Sequence, residues 1–81
     1  MTVRVYSTDS CPWCVKAKEF LDSLGVVYES VNVSGDRAAA MELVKKTQQM
    51  GVPVVQVGGK YIVGYQPDAL KEELKANGLL Q

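Results

Sequence analysis

Cys11 and Cys14 are the only thiols in the chain, and only Pro12 and Trp13 separate them. An extended apolar run, Val3-Arg4-Val5-Tyr6, precedes the pair, and a helical pattern follows it. A Cys-x-x-Cys at a strand-to-helix junction points to a redox dithiol. If the helix starts near Pro12, Cys11 lies at its N-terminus. Unpaired backbone N–H groups and the positive end of the helix dipole then favour a thiolate. A free cysteine titrates near 8.5, and such sites lower that value to roughly 3.5–7.5. Cys14 falls one turn further on, within reach of a mixed disulfide formed on Cys11. The spacing thus supplies an attacking and a resolving thiol. Proline suits the first helical position, where its missing N–H is no loss. Trp13 lies off the inner stripe of the helix, so it is expected to be exposed, as a contact surface for partner proteins.

Other chemistries fit a cysteine pair. A structural disulfide would close a very short loop and remove little entropy from the unfolded chain. Zinc takes four ligands, usually Cys or His. With no histidine and no third cysteine, one chain cannot complete a Cys/His site, although a dimer could bring two pairs together. The lack of histidine also excludes a histidine general base. Activation of Cys14 must come from backbone, water or another side chain.

The chain as a whole sets further bounds. Its 81 residues fit one domain over 1–81, near the small end for a core without staples. A hydrophobic content of 47% is ordinary for a packed domain and argues against disorder. Nine basic and nine acidic residues give zero formal charge, so nothing marks nucleic acid or an anionic membrane as partner. Arg4 interrupts the apolar start, which lacks the long core of a signal peptide. No apolar run approaches the ~20 residues of a membrane span. A cytoplasmic monomer is expected, and in that compartment a cysteine pair is usually reduced, its disulfide transient and catalytic.

Residue patterns give the elements that must hold the dithiol. Thr2 to Ser7 reads as a strand, with Val3 and Val5 on one face and Arg4 and Tyr6 on the other. From Trp13 to Leu24 the period is helical. Cys14, Ala17, Leu21 and Leu24 form the inner stripe, Phe20 widens it, and Gly25 ends it. Val26 to Val33 alternates and reads as a second strand. Ser34-Gly35-Asp36 is a turn and cap before a helix from Arg37 to about Gln49. Ala40, Leu43, Val44 and Thr47 form that helix's inner stripe, with Met41 or Met50 filling gaps. Gly51-Val52-Pro53 breaks it. The runs Val54–Val57 and Lys60–Val63 flank Gly58-Gly59, a hairpin signal because both turn positions tolerate φ > 0. Pro67 starts a last helix with Leu70 and Leu74 inward, Gly78 ends it, and Leu79-Leu80-Gln81 forms a tail. The order β-α-β-α-β-β-α implies an α/β domain with a right-handed parallel βαβ unit and an antiparallel hairpin in one mixed four-stranded sheet, covered by three helices.

This order, with Cys11-Pro12-Trp13-Cys14 after the first strand and Val52-Pro53 before the third, resembles the thioredoxin superfamily and its thioredoxin fold. The length and the lack of an extra N-terminal strand resemble its glutaredoxin branch. The resemblance implies a cis Val52–Pro53 bond beside the dithiol. It implies that the Val52 backbone pairs with an extended substrate or glutathione. Cys-Pro-Trp-Cys is similar to the Cys-Pro-Tyr-Cys of dithiol glutaredoxins. Their basic residue before the first cysteine is absent from Ser7-Thr8-Asp9-Ser10, where Asp9 would oppose a thiolate and the carboxylates of glutathione. Their Gly-Gly-x-Asp-Asp-like stretch is replaced by Gly64-Tyr65-Gln66-Pro67-Asp68. That segment resembles the Gly-Phe-x-Pro-Asp of NrdH-type redoxins, which are recharged by thioredoxin reductase and supply electrons to ribonucleotide reductase.

The resemblance therefore implies a thiol–disulfide oxidoreductase acting through Cys11 and Cys14. Pro12, Trp13, Val52, Pro53, Gly64, Tyr65 and Gln66 would line its substrate groove. Its partners would be a disulfide-containing target protein and a reductase. No prosthetic group is needed, although glutathione could serve as the reductant. Lys16 and Lys18 read as ordinary solvated helix residues. Two readings of another class stand beside this one: an iron–sulfur carrier using Cys11 from two subunits plus glutathione thiols, and a redox-sensing interaction module.

Overall fold

The computed structural model describes residues 3–49 and 51–80. Its elements are β1 (Val3–Ser7), α1 (Pro12–Ser23), β2 (Glu29–Asn32), α2 (Arg37–Thr47), β3 (Val54–Val57), β4 (Lys60–Val63) and α3 (Pro67–Ala76). The strands form one sheet in the order β2-β1-β3-β4. β1 pairs parallel with β2, Arg4 opposite Glu29 and Ser7 opposite Asn32. β1 pairs antiparallel with β3, which pairs antiparallel with β4.

The alternation of β1 splits the core in two. Val3 and Val5 join Val55, Val57 and Ile62 on one face, packed by Ala17 and Leu21 of α1 and by Leu70 and Leu74 of α3. Tyr6 and Val54 face the other way, against Leu43 of α2. Each fully buried leucine contributes about 1.5–3 kcal/mol of transfer free energy, so Leu21, Leu70 and Leu74 anchor two helices to one side of the sheet. The tail also packs: Leu79 and Leu80 lie against the larger cluster, and the Leu79 N–H bonds the Leu74 carbonyl at 2.9 Å.

Three expectations change. The second strand is only Glu29–Asn32, not Val26–Val33. Leu24 caps α1, and Gly25 follows with φ 71°. The Gly25 N–H bonds the Asp22 carbonyl at 3.0 Å, and the Val26 N–H bonds the Leu21 carbonyl at 3.1 Å. This is a Schellman closure. It spends the Val26 donor on the helix end, while the Val26 side chain packs against the core. Val27 is left 91% exposed. Second, Met41 fills no gap: it is 62% exposed, and Leu43 is the buried residue of α2. Third, α2 stops at Thr47, because Gln48 turns left-handed at φ 58°. The Gly58-Gly59 hairpin forms as expected: Gly58 takes φ 60° while Gly59 stays outside the left-handed region. One positive φ at the first turn position suits a type II′ hairpin. Thr2, Met50 and Gln81 lie outside the described residues.

Candidate active site

The site forms where β1 hands the chain to α1. Cys11 is the N-cap residue of α1, extended at φ −125° and ψ 99°, and Pro12 occupies the first turn. The Cys11 carbonyl accepts the Cys14 and Val15 N–H groups at 3.2 and 3.3 Å, and Cys11 Sγ accepts the same Cys14 N–H at 3.1 Å. No acidic residue sits in the first turn of α1, so nothing there offsets the positive end of the helix. Cys11 and Cys14 are joined as a disulfide, with Cα atoms 5.2 Å apart. The two sulfurs differ in access: Cys11 is half-buried at the surface, whereas Cys14 is 2% exposed on the inner face of α1.

Trp13 stands 58% exposed between them. Lys16, three residues on and therefore on the same helix face, sets its Nζ 5.5 Å from the Trp13 ring centroid. On another side Tyr65 tilts against Trp13 with centroids 6.0 Å apart, and Tyr65 meets Phe20 edge-on at 6.2 Å. Such pairs contribute about 0.5–1.5 kcal/mol beyond their buried area, so an aromatic chain runs from the exposed indole to the core.

The Val52–Pro53 bond is cis, as the resemblance implies. The Pro53 carbonyl accepts the Gly64 N–H at 2.8 Å, which extends the β3–β4 pairing and fixes the start of the Gly64–Gln66 loop. Gln66 precedes α3 but makes no side-chain cap; its Nε2 donates to the Val63 carbonyl at 2.6 Å. The expected groove is therefore brought together in part. Trp13 and Tyr65 meet, and Pro53 holds Gly64. The Val52 side chain packs with Tyr6, Leu43 and Val54, on the sheet face opposite the cluster that carries Tyr65, while the role expected of Val52 belongs to its backbone.

Residues outside the expected set also belong here. Lys16 is exposed, as expected, with its Nζ set over the indole. Asp9 accepts a hydrogen bond from Asn32 Nδ2, and Ser34 Oγ lies 3.1 Å from Asp9 Oδ2. No sequence spacing links Asp9 to Asn32; the pairing of Ser7 with Asn32 brings them together. Among the described residues no group of three or more Cys, Asp or Glu is placed to hold a metal ion, and no helix is long and apolar enough to cross a membrane.

A dithiol at the N-cap of the first helix, a cis-proline before the third strand and a β-α-β-α-β-β-α sheet define a redox protein of thioredoxin fold. The glutaredoxin family model matches residues 3–62. A glutaredoxin-like 8.6 kDa protein of the rubredoxin operon of Clostridium pasteurianum is 41% identical over 63 residues, 78% of this chain and 84% of the relative. Glutaredoxin 3 of Escherichia coli is 31% identical over 62 residues, 76% of this chain and 75% of the relative. Among solved structures, the NrdH-redoxin of Escherichia coli superposes with a TM-score of 0.82 at 26% identity, covering 89% of this chain and 93% of that one. A buckwheat glutaredoxin solved with glutathione superposes at 0.70 with 31% identity, covering 96% of this chain and 71% of that one. The chain belongs to the glutaredoxin family, whose members are thiol–disulfide oxidoreductases.

Proposed function

We propose that this chain reduces protein disulfides, with Cys11 as attacking residue and Cys14 as resolving residue, and that it is an NrdH-type electron donor recharged by thioredoxin reductase. The observation that carries the first part is the asymmetry of the pair. Cys11 is half-buried at a helix N-cap, with its Sγ 3.1 Å from the backbone nitrogen of the Cys14 N–H. Cys14 is out of reach of a large substrate at 2% exposure. A thiolate on Cys11 is favoured by that N–H and by the helix end.

The Cys11 thiolate attacks one sulfur of a target disulfide. The target S–S bond breaks, a Cys11–target bond forms, and the leaving target thiolate takes a proton from solvent. Cys14 then loses its proton and attacks Cys11 Sγ. The mixed disulfide breaks, the Cys11–Cys14 bond forms, and the second target thiol leaves. The target has gained two electrons and two protons; a reductase then re-reduces the Cys11–Cys14 disulfide with two electrons and one proton from NADPH and a second proton from solvent. The exposed Trp13–Tyr65 surface and the backbone at Val52 and Pro53 flank the incoming chain; Pro12 starts the helix, and Gly64 and Gln66 shape the opposite wall.

The NrdH assignment draws on Gly64-Tyr65-Gln66-Pro67-Asp68, on a loop before Cys11 with no cation, and on the near-complete overlap with the NrdH-redoxin. The second reading, a glutathione-dependent dithiol glutaredoxin, draws on Cys-Pro-Trp-Cys, on the similarity to Glutaredoxin 3 and on the fold shared with the glutathione-bound buckwheat protein. Coupled assays separate the two. The oxidised protein is mixed with NADPH and either thioredoxin reductase or glutathione plus glutathione reductase. Fast NADPH loss only with thioredoxin reductase is expected; fast loss only with glutathione overturns the NrdH assignment. With turnover only in the thioredoxin reductase arm, ribonucleotide reductase is the first target to test.

A further inference from the structure

Asp9 lies two residues before Cys11, in the short link from β1 to α1. The last backbone rung between β1 and β2 is the Val33 N–H to the Ser7 carbonyl at 2.8 Å. Beyond it the two chains separate, and side chains continue the connection. Asn32 Nδ2 donates to Asp9 Oδ1. Ser34 Oγ lies 3.1 Å from Asp9 Oδ2 and also within reach of Asn32 Oδ1, so its single proton serves one of the two. The Ser34 N–H fixes Asn32 by donating to Asn32 Oδ1 at 2.9 Å. Among the described residues, Asp9 alone of Thr8, Asp9 and Ser10 makes a side-chain hydrogen bond. On the far side, Ser34 stands two residues before Asp36, whose Oδ1 caps α2 through the Ala39 N–H at 3.0 Å.

We propose that Asp9 is a positioning residue for thiol–disulfide exchange: its carboxylate latches the loop before Cys11 to the turn after β2 and so holds Cys11 at the N-cap of α1. The inference rests on the reading of Cys11 as the attacking thiol. The alternative role for Asp9 is a bare negative charge that opposes a thiolate. The two roles have opposite signs. Removing a charge favours the Cys11 thiolate, whereas releasing the loop lets Cys11 Sγ drift from the Cys14 N–H and disfavours it. Asp9→Asn and Asp9→Ala both remove the charge, but asparagine keeps an oxygen that can accept from Asn32 or Ser34. The difference between the two variants therefore isolates the latch.

Two readouts are taken on the reduced protein. One is the second-order rate of reduction of oxidised insulin. The other, in a Cys14→Ser background, is the pH midpoint of Cys11 alkylation by iodoacetamide. Losing the latch lowers the insulin rate by about five- to tenfold in Asp9→Ala and leaves Asp9→Asn within about twofold of the parent. The alkylation midpoint lies higher in Asp9→Ala than in Asp9→Asn. Asn32→Ala breaks the same connection but keeps the Asp9 charge, so it slows reduction at least as much as Asp9→Ala, and the double variant is no slower than Asn32→Ala alone. Equal behaviour of the two Asp9 variants, an unchanged Asn32→Ala, or additive losses on combining Asp9→Ala with Asn32→Ala would overturn the proposal. Failure of the wild type to reduce insulin would count against the functional reading instead. The alkylation midpoints need no disulfide substrate and would still decide the role of Asp9.

Discussion

Replacing Cys14 by serine removes the resolving sulfur and leaves the attacking one. In the wild type, resolution is intramolecular, across Cα atoms 5.2 Å apart on one helical turn. A thiol tethered by even a short flexible link acts at an effective concentration of about 1 mM, and a well-oriented one reaches far higher values, up to ~10⁵ M or more. In Cys14→Ser the mixed disulfide must wait for a thiol from solution. With free thiol held at about 10 µM, resolution slows by at least about a hundredfold, the ratio of 1 mM to 10 µM. The variant should fold, since the substitution removes bulk and the Cys14 N–H that bonds the Cys11 carbonyl and Sγ is retained. Circular dichroism checks this. Reduced Cys14→Ser is mixed with oxidised insulin and run on a non-reducing gel. A new band at the summed mass, stable for many wild-type turnovers and lost on adding dithiothreitol, is expected. Clearance at the wild-type rate, or the absence of an adduct, would refute the assignment of Cys14 as resolver.

Three further outcomes are expected. Cys11→Ser abolishes reduction of insulin, and dithiol turnover retained in that variant would remove Cys11 from the attacking role. Leu21→Ala, in a side chain with no exposed area beneath the dithiol helix, costs about 2–5 kcal/mol in urea unfolding; a loss under about 1 kcal/mol would mean that α1 is not anchored there. Burial raises the Tyr6 phenol above its ordinary range, and burial followed by the Asp22 charge raises Tyr28. The folded state therefore holds these protons longer than the unfolded chain does. Their contribution is intact below the unfolded value near 10 and is lost as pH climbs through the raised folded values. Urea midpoints should fall from pH 9 to pH 11 as the phenolate absorbance of these tyrosines lags that of the unfolded protein.

Local punctuation made most of the fold legible. Gly25, Pro12, Pro67 and the Gly58-Gly59 pair mark element ends by backbone chemistry that needs no tertiary partner. The β2 boundary was misread for the same reason in reverse. Val26-Val27-Tyr28 has the side chains of a strand, but the Schellman closure of α1 takes the Val26 N–H, and residue types do not report which donors are already used. Met41 sits near the apolar stripe of α2 in sequence, and its 62% exposure reflects how little of that helix the sheet covers. At the site, the spacing of Cys11 and Cys14 was readable because one helical turn sets it. The latch from Asp9 to Asn32 was not, because it spans 23 residues and exists only through the register of β1 with β2. Lys16 reads from sequence as a solvated helix residue, and its place 5.5 Å from the Trp13 ring centroid needs the side-chain conformations of the folded chain.

The central claim is that Cys11 attacks and Cys14 waits, and alkylation of the fully reduced wild type tests it most directly. The protein is treated at neutral pH with less than one equivalent of iodoacetamide, quenched, and its cysteines are mapped by fragment mass spectrometry. The account predicts label almost wholly on Cys11, the N-cap thiol at the surface, with Cys14 modified only after unfolding. Equal labelling, or preference for Cys14, would contradict it.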